Sequence, residues 1–265
     1  MTGVQTCALP IYVFGTDTYR VNIQRGNPAV SGAKDQTFTA PTLNGPVKTV
    51  DKDVQKKADE DGNKKQVEVT VIGGSFDGKV AKLDEKGKKD DEFSSKVPAI
   101  SGTVEKVKVD DEHRIIVAGK DVDGDKDVVR LKSDGSKDNS FSGPDLGANK
   151  KVDDVEIQKD GKIIIVGDFG DNKNVKKLKD NGSEDETFKN NLPVINDEVK
   201  AVKVQEDGKI LIGGKFTDVG VNDGDKIARL EKDGKNDNSF KPATNGAHFN
   251  DDVEDIETQK DGKII

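Results

Sequence analysis

Cysteine and methionine occur once each in the 265 residues, as Cys7 and Met1, and tryptophan does not occur. With Cys7 set aside as part of an anomalous leading segment, disulfides, thiolate zinc sites and cysteine nucleophiles are all excluded. Apolar runs are short: none approaches the roughly 18 residues of a membrane helix, so no membrane span is expected. No basic stripe is present either. The 43 basic and 51 acidic residues are well mixed and give a net charge of -8, which argues against a nucleic-acid backbone as partner. Histidine occurs only at His113 and His248, far apart and without a Cys, Ser or third ligand nearby. Missing too are a G-x-G-x-x-G entering a helix, a G-K-[ST] and a G-x-S-x-G elbow. Hydrophobic residues make up only 31% of the chain and charged residues 35%, with a mean hydropathy of -0.74. That balance borders on disorder unless thin modules, each with little core of its own, are stacked side by side.

The first eleven residues, "MTGVQTCALPI", match nothing that follows. They lack the basic start and unbroken apolar stretch of an export signal. They resemble the translation of a sequencing-library adapter, and residues 1–11 are read as a non-native scar.

What the chain does have is a repeat. "VDDVEIQKDGKIIIVGDF" (152–169) aligns with "VKAVKVQEDGKILIGGKF" (199–216), and "VEDIETQKDGKII" (253–265) begins the same unit again. A second block follows: "VAKLDEKGKKDDEF", "VVRLKSDGSKDNSF", "VKKLKDNGSEDETF" and "IARLEKDGKNDNSF", closing at Phe93, Phe141, Phe188 and Phe240. In each, Leu stands ten residues before Phe and Asp three before it, at Asp90, Asp138, Asp185 and Asp237. A degenerate earlier copy closes at Phe38, so successive units span 55, 48, 47 and 52 residues. The expected organisation is therefore a partial unit at 12–38, four complete units at 39–93, 94–141, 142–188 and 189–240, and a partial unit at 241–265.

Within a unit, "VKAVKV" alternates apolar with polar and reads as a half-buried strand. "EDGK" is a hairpin turn, with Asp-Gly supplying positive φ. "ILIGG" is a strand covered on both faces. A variable loop, a third strand such as "KIARL" and a second Asp-Gly-type turn lead to "DNSF", read as a short fourth strand. Little of the sequence has a 3.6-residue period, so helix is expected to be scarce. The fold class is all-β: antiparallel units of about 50 residues, the period of propeller blades. Eight of the ten phenylalanines fall at the closing position or at the Gly-x-Phe position (Phe76, Phe169, Phe216), as core anchors between units would.

The paired motifs "Q-x-DGKI-x-x-GG-x-F" and "ARL-x-x-DG-x-x-D-x-SF" resemble the delta-60 repeat family of bacterial β-propellers. The resemblance covers nearly everything from about residue 12 onward. It implies a propeller, closed or an open arc, within large and often exported or cell-surface proteins. Two places depart from the pattern: "DEHRIIVAG" puts His113 where Gly is expected, and "KKADEDGNKK" (56–65) lengthens one hairpin.

The sharpest candidate for chemistry is "DVDGDKD", whose alternating Asp121, Asp123, Asp125 and Asp127 could converge on Ca²⁺. Lys126 occupies the position where a calcium loop has Gly. The repeated Asp90, Asp138, Asp185 and Asp237 read as turn acceptors of backbone N–H groups, since a residue required in every unit does one structural job. No catalytic residue is assigned. The expected function is a non-catalytic propeller module, part of a larger exported or cell-surface bacterial protein, that binds or displays through variable loops, with an unknown protein or glycan as partner. The alternatives are a calcium-stabilised adhesive module and a propeller enzyme, hydrolase or lyase, whose site lies in missing sequence.

Overall fold

The computed structural model describes residues 37–58, 63–220, 222–223, 226–241, 249–259 and 261–265. The leading segment 1–11, nearly all of the partial unit 12–38 and His248 lie outside the described residues. The described chain is all-β, built of small antiparallel sheets. The first unit carries β1 (Val47–Ala58), β2 (Lys64–Gly74) and β3 (Val80–Leu83). The second carries β4 (Thr103–Val109), β5 (Ile115–Asp123) and β6 (Lys126–Leu131), and the third β7 (Lys151–Ile157), β8 (Ile163–Asp168) and β9 (Val175–Leu178). The fourth has β10 (Val199–Val204) and β11 (Ile210–Gly214), then a small hairpin of β12 (Asp218–Val219) and β13 (Asn222–Asp223), then β14 (Ile227–Leu230). In every unit the three main strands pair in chain order.

The first strands depart from simple alternation. Each carries a register shift at the same place, between Val47 and Thr49, Val104 and Lys106, Val152 and Asp154, and Val199 and Ala201. This β-bulge accounts for the apolar spacing of three then two, as in Val104, Val107 and Val109, which strict alternation does not give. The second strands are buried on both faces, Ile210–Gly214 throughout.

The fourth strand is a single bridge. Leu83 pairs with Lys89, Leu131 with Lys137, Leu178 with Glu184 and Leu230 with Asn236, and pairing stops there. Asp90 and Asp185 then cap two six-residue helices, α1 (Asp91–Lys96) and α2 (Glu186–Asn191). Asp138 and Asp237 instead close turns, each accepting the N–H and the hydroxyl of the serine two residues on, Ser140 and Ser239. A carboxylate that satisfies local N–H groups turns the chain out of the sheet, which is why no full strand forms.

The cores lie between units. Phe93 joins Val71 and Val80 of the first unit to Val104, Val107 and Leu131 of the second. Phe141 joins Ile116 and Val128 to Val152, Val155 and Leu178, and Phe188 joins Ile164 and Val175 to Val199, Ile212 and Leu230. Phe76, Phe169 and Phe216 are buried as well. Gly213 shows how tight the fit is: a Cβ there would come within 2.5 Å of Val253 of the next unit.

A cation in the third strand lies over the closing ring of its own unit: Lys82 over Phe93, Arg130 over Phe141, Lys177 over Phe188 and Arg229 over Phe240, at 4.8–5.6 Å. Three of these reach into the following unit at one equivalent position. Lys82 donates to the Ser133 carbonyl, Arg130 to that of Asp180 and Lys177 to that of Lys232. Buried cations are thereby paired with a carbonyl and a π-face, as burial requires.

Successive first strands pack side by side, β1 on β4, β4 on β7 and β7 on β10, and side chains satisfy the edges. The N–H groups of Val107, Val109 and Val202 donate to Thr49, Asp51 and Asp154 of the preceding unit. Lys106 reaches Asp154 at 2.7 Å, Lys108 reaches Glu156 at 3.0 Å, and Lys203 reaches Glu156 at 3.5 Å and Glu257 at 2.9 Å. Asp51, Lys108, Glu156, Lys203 and Glu257 form one row of alternating sign. Burial works against the charge on Lys108, but the acids around it, Glu156 foremost, raise its pKa.

Candidate functional site

Antiparallel pairing in chain order sorts the connections to two ends. The first hairpins and third-strand turns lie at one end, here called the hairpin end. The loops between second and third strands, with the links to the next unit, lie at the other, the loop end. At the hairpin end three of the first turns are alike, with Gly161, Gly208 and Gly262 all at φ near +80°, while the first unit has a lengthened hairpin and the second has His113 in its turn. The loop end is where all the units differ. Residues 75–79 make a short turn, residues 121–127 an extended hairpin, residues 169–174 a longer loop and residues 215–226 the longest, with its own two-stranded hairpin.

These loops are fastened to the links that follow them. The Ile195 N–H donates to the Asn172 carbonyl and Asn174 Nδ2 to that of Asp197. Asn196 holds the root of the fourth loop through both ends of its amide: Oδ1 accepts the N–H groups of Thr217 and Asp218, and Nδ2 donates to Thr217 Oγ1 and Asp218 Oδ2. Val194 beside it is 56% exposed. The loop end thus offers fixed, polar, differently shaped projections with a small apolar contact.

The four aspartates of the second loop have separate places. Asp121 is held at φ +51°, and its carbonyl accepts the Gly102 N–H. Asp123 pairs with Lys126 across the hairpin, and its carboxylate lies 2.5 Å from Lys137. Asp125 is at the exposed tip. Asp127, 2% exposed, accepts the Asp121 N–H with one oxygen and the Leu146 N–H with the other, both at 2.9 Å. Burial pushes its carboxyl above the usual range. Among the described residues no group of three or more His, Cys, Asp or Glu side chains is arranged to hold a metal ion. Asp121 and Asp127 come together through a backbone bond, while Asp123 turns to a lysine.

At the hairpin end, His113 keeps the left-handed turn with φ +63°. Its Nδ1 lies 2.6 Å from Asp53 Oδ1, and Gln55 Nε2 donates to the other oxygen. Asp53 and Gln55 lie on β1 just before the stretch 56–65, so the strand that leads into the lengthened hairpin is held to the turn with the substituted glycine. The substituted glycine and the extra residues each showed in the sequence. That His113 meets Asp53 across 60 residues did not, because the contact joins two different units.

No helix among the described residues is long and apolar enough to cross a membrane. No curated protein matches this chain. Among solved structures, the chain resembles a protein of unknown function from Bacteroides caccae at 12% identity and TM-score 0.40, over 75% of this chain and 68% of that one. It also resembles the WD40 β-propeller domain of Doa1 at 14% identity and TM-score 0.38, over 86% and 91%. Residues 114–141, 158–188 and 205–240 each match the model of a family described as a domain of unknown function (DUF5122) beta-propeller, and the small antiparallel sheets stacked in chain order are blades of that fold.

Proposed function

We propose that the chain is a non-catalytic recognition module, a propeller segment of an exported or cell-surface protein that binds a protein or glycan partner through its loop end. The observation that carries this reading is the division between the two ends. Constant residues are structurally engaged: the closing phenylalanines and third-strand cations hold one unit to the next, and the capping aspartates fix the turns within each unit. The loops differ in length and shape on rigid strands, the arrangement in which loops take up recognition. The aspartates that recur in every unit bond backbone and serine groups, which supports a structural role over a catalytic one.

The test is to present the full chain to glycan and peptide arrays, and then a variant with residues 215–226 replaced by the five-residue loop of the first unit. A ligand retained unchanged by the first and lost by the second is the expected result. Turnover of the retained ligand, or binding that survives replacement of every loop, overturns the reading.

A further inference from the structure

The link into the fourth unit, residues 194–198, grips the root of the fourth loop. Asn196 Oδ1 accepts the N–H groups of Thr217 and Asp218, and the Glu198 carbonyl accepts that of Lys215 at 2.9 Å. The Glu198 side chain joins that root to the unit before it. Its carboxylate lies 2.6 Å from Lys215 and 3.4 Å from Lys151 on β7, and Lys151 also bonds Asp153.

Across this joint two acids meet where two other joints pair opposite charges. The residues that follow Val47, Val104, Val152, Val199 and Val253 are Lys48, Glu105, Asp153, Lys200 and Glu254. Lys48 pairs with Glu105 at 2.6 Å, and Lys200 pairs with Glu254. Asp153 instead lies within hydrogen-bonding reach of Glu198. Neither carboxylate has a hydrogen to give, and Asp153 Oδ2 is left buried without a partner.

The charged groups around the pair are already engaged. Asp154 turns to Lys106 at 2.7 Å and to the Val202 N–H, and Asp168, opposite Lys151 in the register, is bonded by Lys150 at 3.2 Å. Lys200 and Lys226 both reach Asp252, and Lys200 foremost holds that carboxyl below its usual range. Burial works against the charge on Lys151, but Asp153 and Glu198 raise its pKa, and Glu198 does the same for Lys215. His113, the one described histidine, is at the hairpin end. In mild acid the incoming proton therefore goes to the carboxyl pair.

We propose that Asp153 and Glu198 form an acid-tightened clasp that sets how firmly the root of the fourth loop is held. One proton shared by the two carboxyls supplies the missing hydrogen bond, removes the like-charge contact and leaves Glu198 free to hold Lys215. Its loss restores two adjacent, largely buried negative charges that push apart, and the link carrying Glu198 loosens with them. The clasped state is the one that holds the proton, so the clasp is closed in mild acid and opens as pH rises through about 6. The consequence for binding rests on the reading of the loop end as the recognition face: a partner seated there is held more tightly in mild acid.

The test reads the free chain. Amide hydrogen exchange of Lys215, Thr217 and Asp218, each bonded to the link, is followed by NMR from pH 4.5 to 7.5 as protection over the intrinsic rate at each pH. Protection is expected to fall about tenfold as pH rises through about 6. The amides of Val107 and Val109, at the joint of the first and second units, should not follow it. Asp153→Asn should keep protection at pH 7.5 at its mild-acid level, and Glu198→Gln should flatten the pH dependence whatever its effect on the melt. Protection independent of pH in the parent, a dependence that survives both substitutions, or an equal change at Val107 and Val109 overturns the proposal. Because no ligand enters the experiment, its failure leaves the recognition reading standing, and the failure of that reading leaves the clasp.

Discussion

Replacing Asp153 by Asn should stabilise this protein at neutral pH and do so much less in mild acid. Asp153 lies on β7 at the junction with the fourth unit, where Lys151 bonds its Oδ1, while its Oδ2 is buried without a hydrogen-bond partner. Glu198, at the entrance to β10, lies 3.4 Å from the same Lys151 and 2.6 Å from Lys215. Burial, helped by the Glu198 charge, pushes the Asp153 carboxyl up to about 6. Burial works against the Glu198 charge too, but Lys215 and Lys151 hold its carboxyl below the usual range. A proton on Asp153 gives the orphaned oxygen a bond to make and removes one of two adjacent negative charges.

The sign follows from linkage. Asp153 binds its proton more tightly folded than unfolded, so its contribution is fully present below about pH 4 and is lost as pH rises through about 6. A move from 3.8 to about 6 corresponds to about 3 kcal/mol at about 1.36 kcal/mol per unit. The side chain keeps 15% exposure and the pair screens itself through two lysines, so about half, ~1.5 kcal/mol, is the expected cost at pH 7.5. Glu198 has the opposite slope, but its window lies below its ordinary 4.5, so between pH 4.5 and 7.5 Asp153 dominates. Asn keeps an oxygen for Lys151 and offers an N–H toward Glu198. Urea unfolding should show a gain of ~1.5 kcal/mol at pH 7.5 and about a third of that at pH 4.5, which already lies above the unfolded value of 3.8, and carboxyl ¹³C titration should place Asp153 near 6. An equal gain at both pH values, or destabilisation at pH 7.5, refutes the reasoning.

Lys177→Arg should raise the melting temperature. Arg229 in the fourth unit reaches Asp237 at 2.8 Å and Gln205 at 3.5 Å, whereas the corresponding Gln158 of the third unit has a buried Oε1 with no hydrogen-bond partner. A guanidinium at 177 can supply it, for about 1 kcal/mol or about 2–4 °C by calorimetry, and a lower melting temperature would count against it. Millimolar Ca²⁺ should leave the melt unchanged, because both oxygens of Asp127 accept N–H bonds and Asp123 is paired with Lys137. An upward shift that Asp123→Ala and Asp125→Ala abolish would instead make the loop a metal site.

What the sequence makes legible is what each unit states by itself. The Asp-Gly turns, the covered second strand and the buried phenylalanines follow from local chemistry repeated in register, and Gly208 with φ +85° stands where a turn needs it. The fourth strand was misread because "DNSF" has the composition of a strand end, while Asp138 and Asp237 bond the serines that follow and fold the segment back. Contacts between units are harder to see. That Lys82, Arg130 and Lys177 each reach the following unit's turn requires knowing which unit is next in space and at what height. The pairing of Asp53 with His113 likewise joins two different units, which no local pattern specifies. The Asp121–Asp127 stretch looks like a ligand set because alternation is all the sequence shows. The structure adds that one member faces a lysine and another two backbone donors.

The alternating row along the first strands bears on a problem that every repeat protein has. The apolar positions of these units are nearly interchangeable, with Val or Ile at Val104, Val152, Val199 and Val253 and again at Val107, Val155, Val202 and Ile256. Hydrophobic packing alone therefore discriminates poorly between a unit and its neighbour but one. Adjacent sheets are joined through side chains at their first strands, so backbone pairing does little to fix the order there. Charge can. In sequence order Lys108 meets Glu156 at 3.0 Å and Glu156 meets Lys203 at 3.5 Å; skipping one unit would set Lys108 against Lys203. Each half-buried pair contributes only about 0–1 kcal/mol, but exchanging attraction for repulsion roughly doubles the difference at each contact. Over the row this amounts to several kcal/mol against a misordered stack, comparable with the net stability of a small domain. A chain with so little apolar surface per unit gains its stability from the junctions, and the order of those junctions is written in its abundant charge.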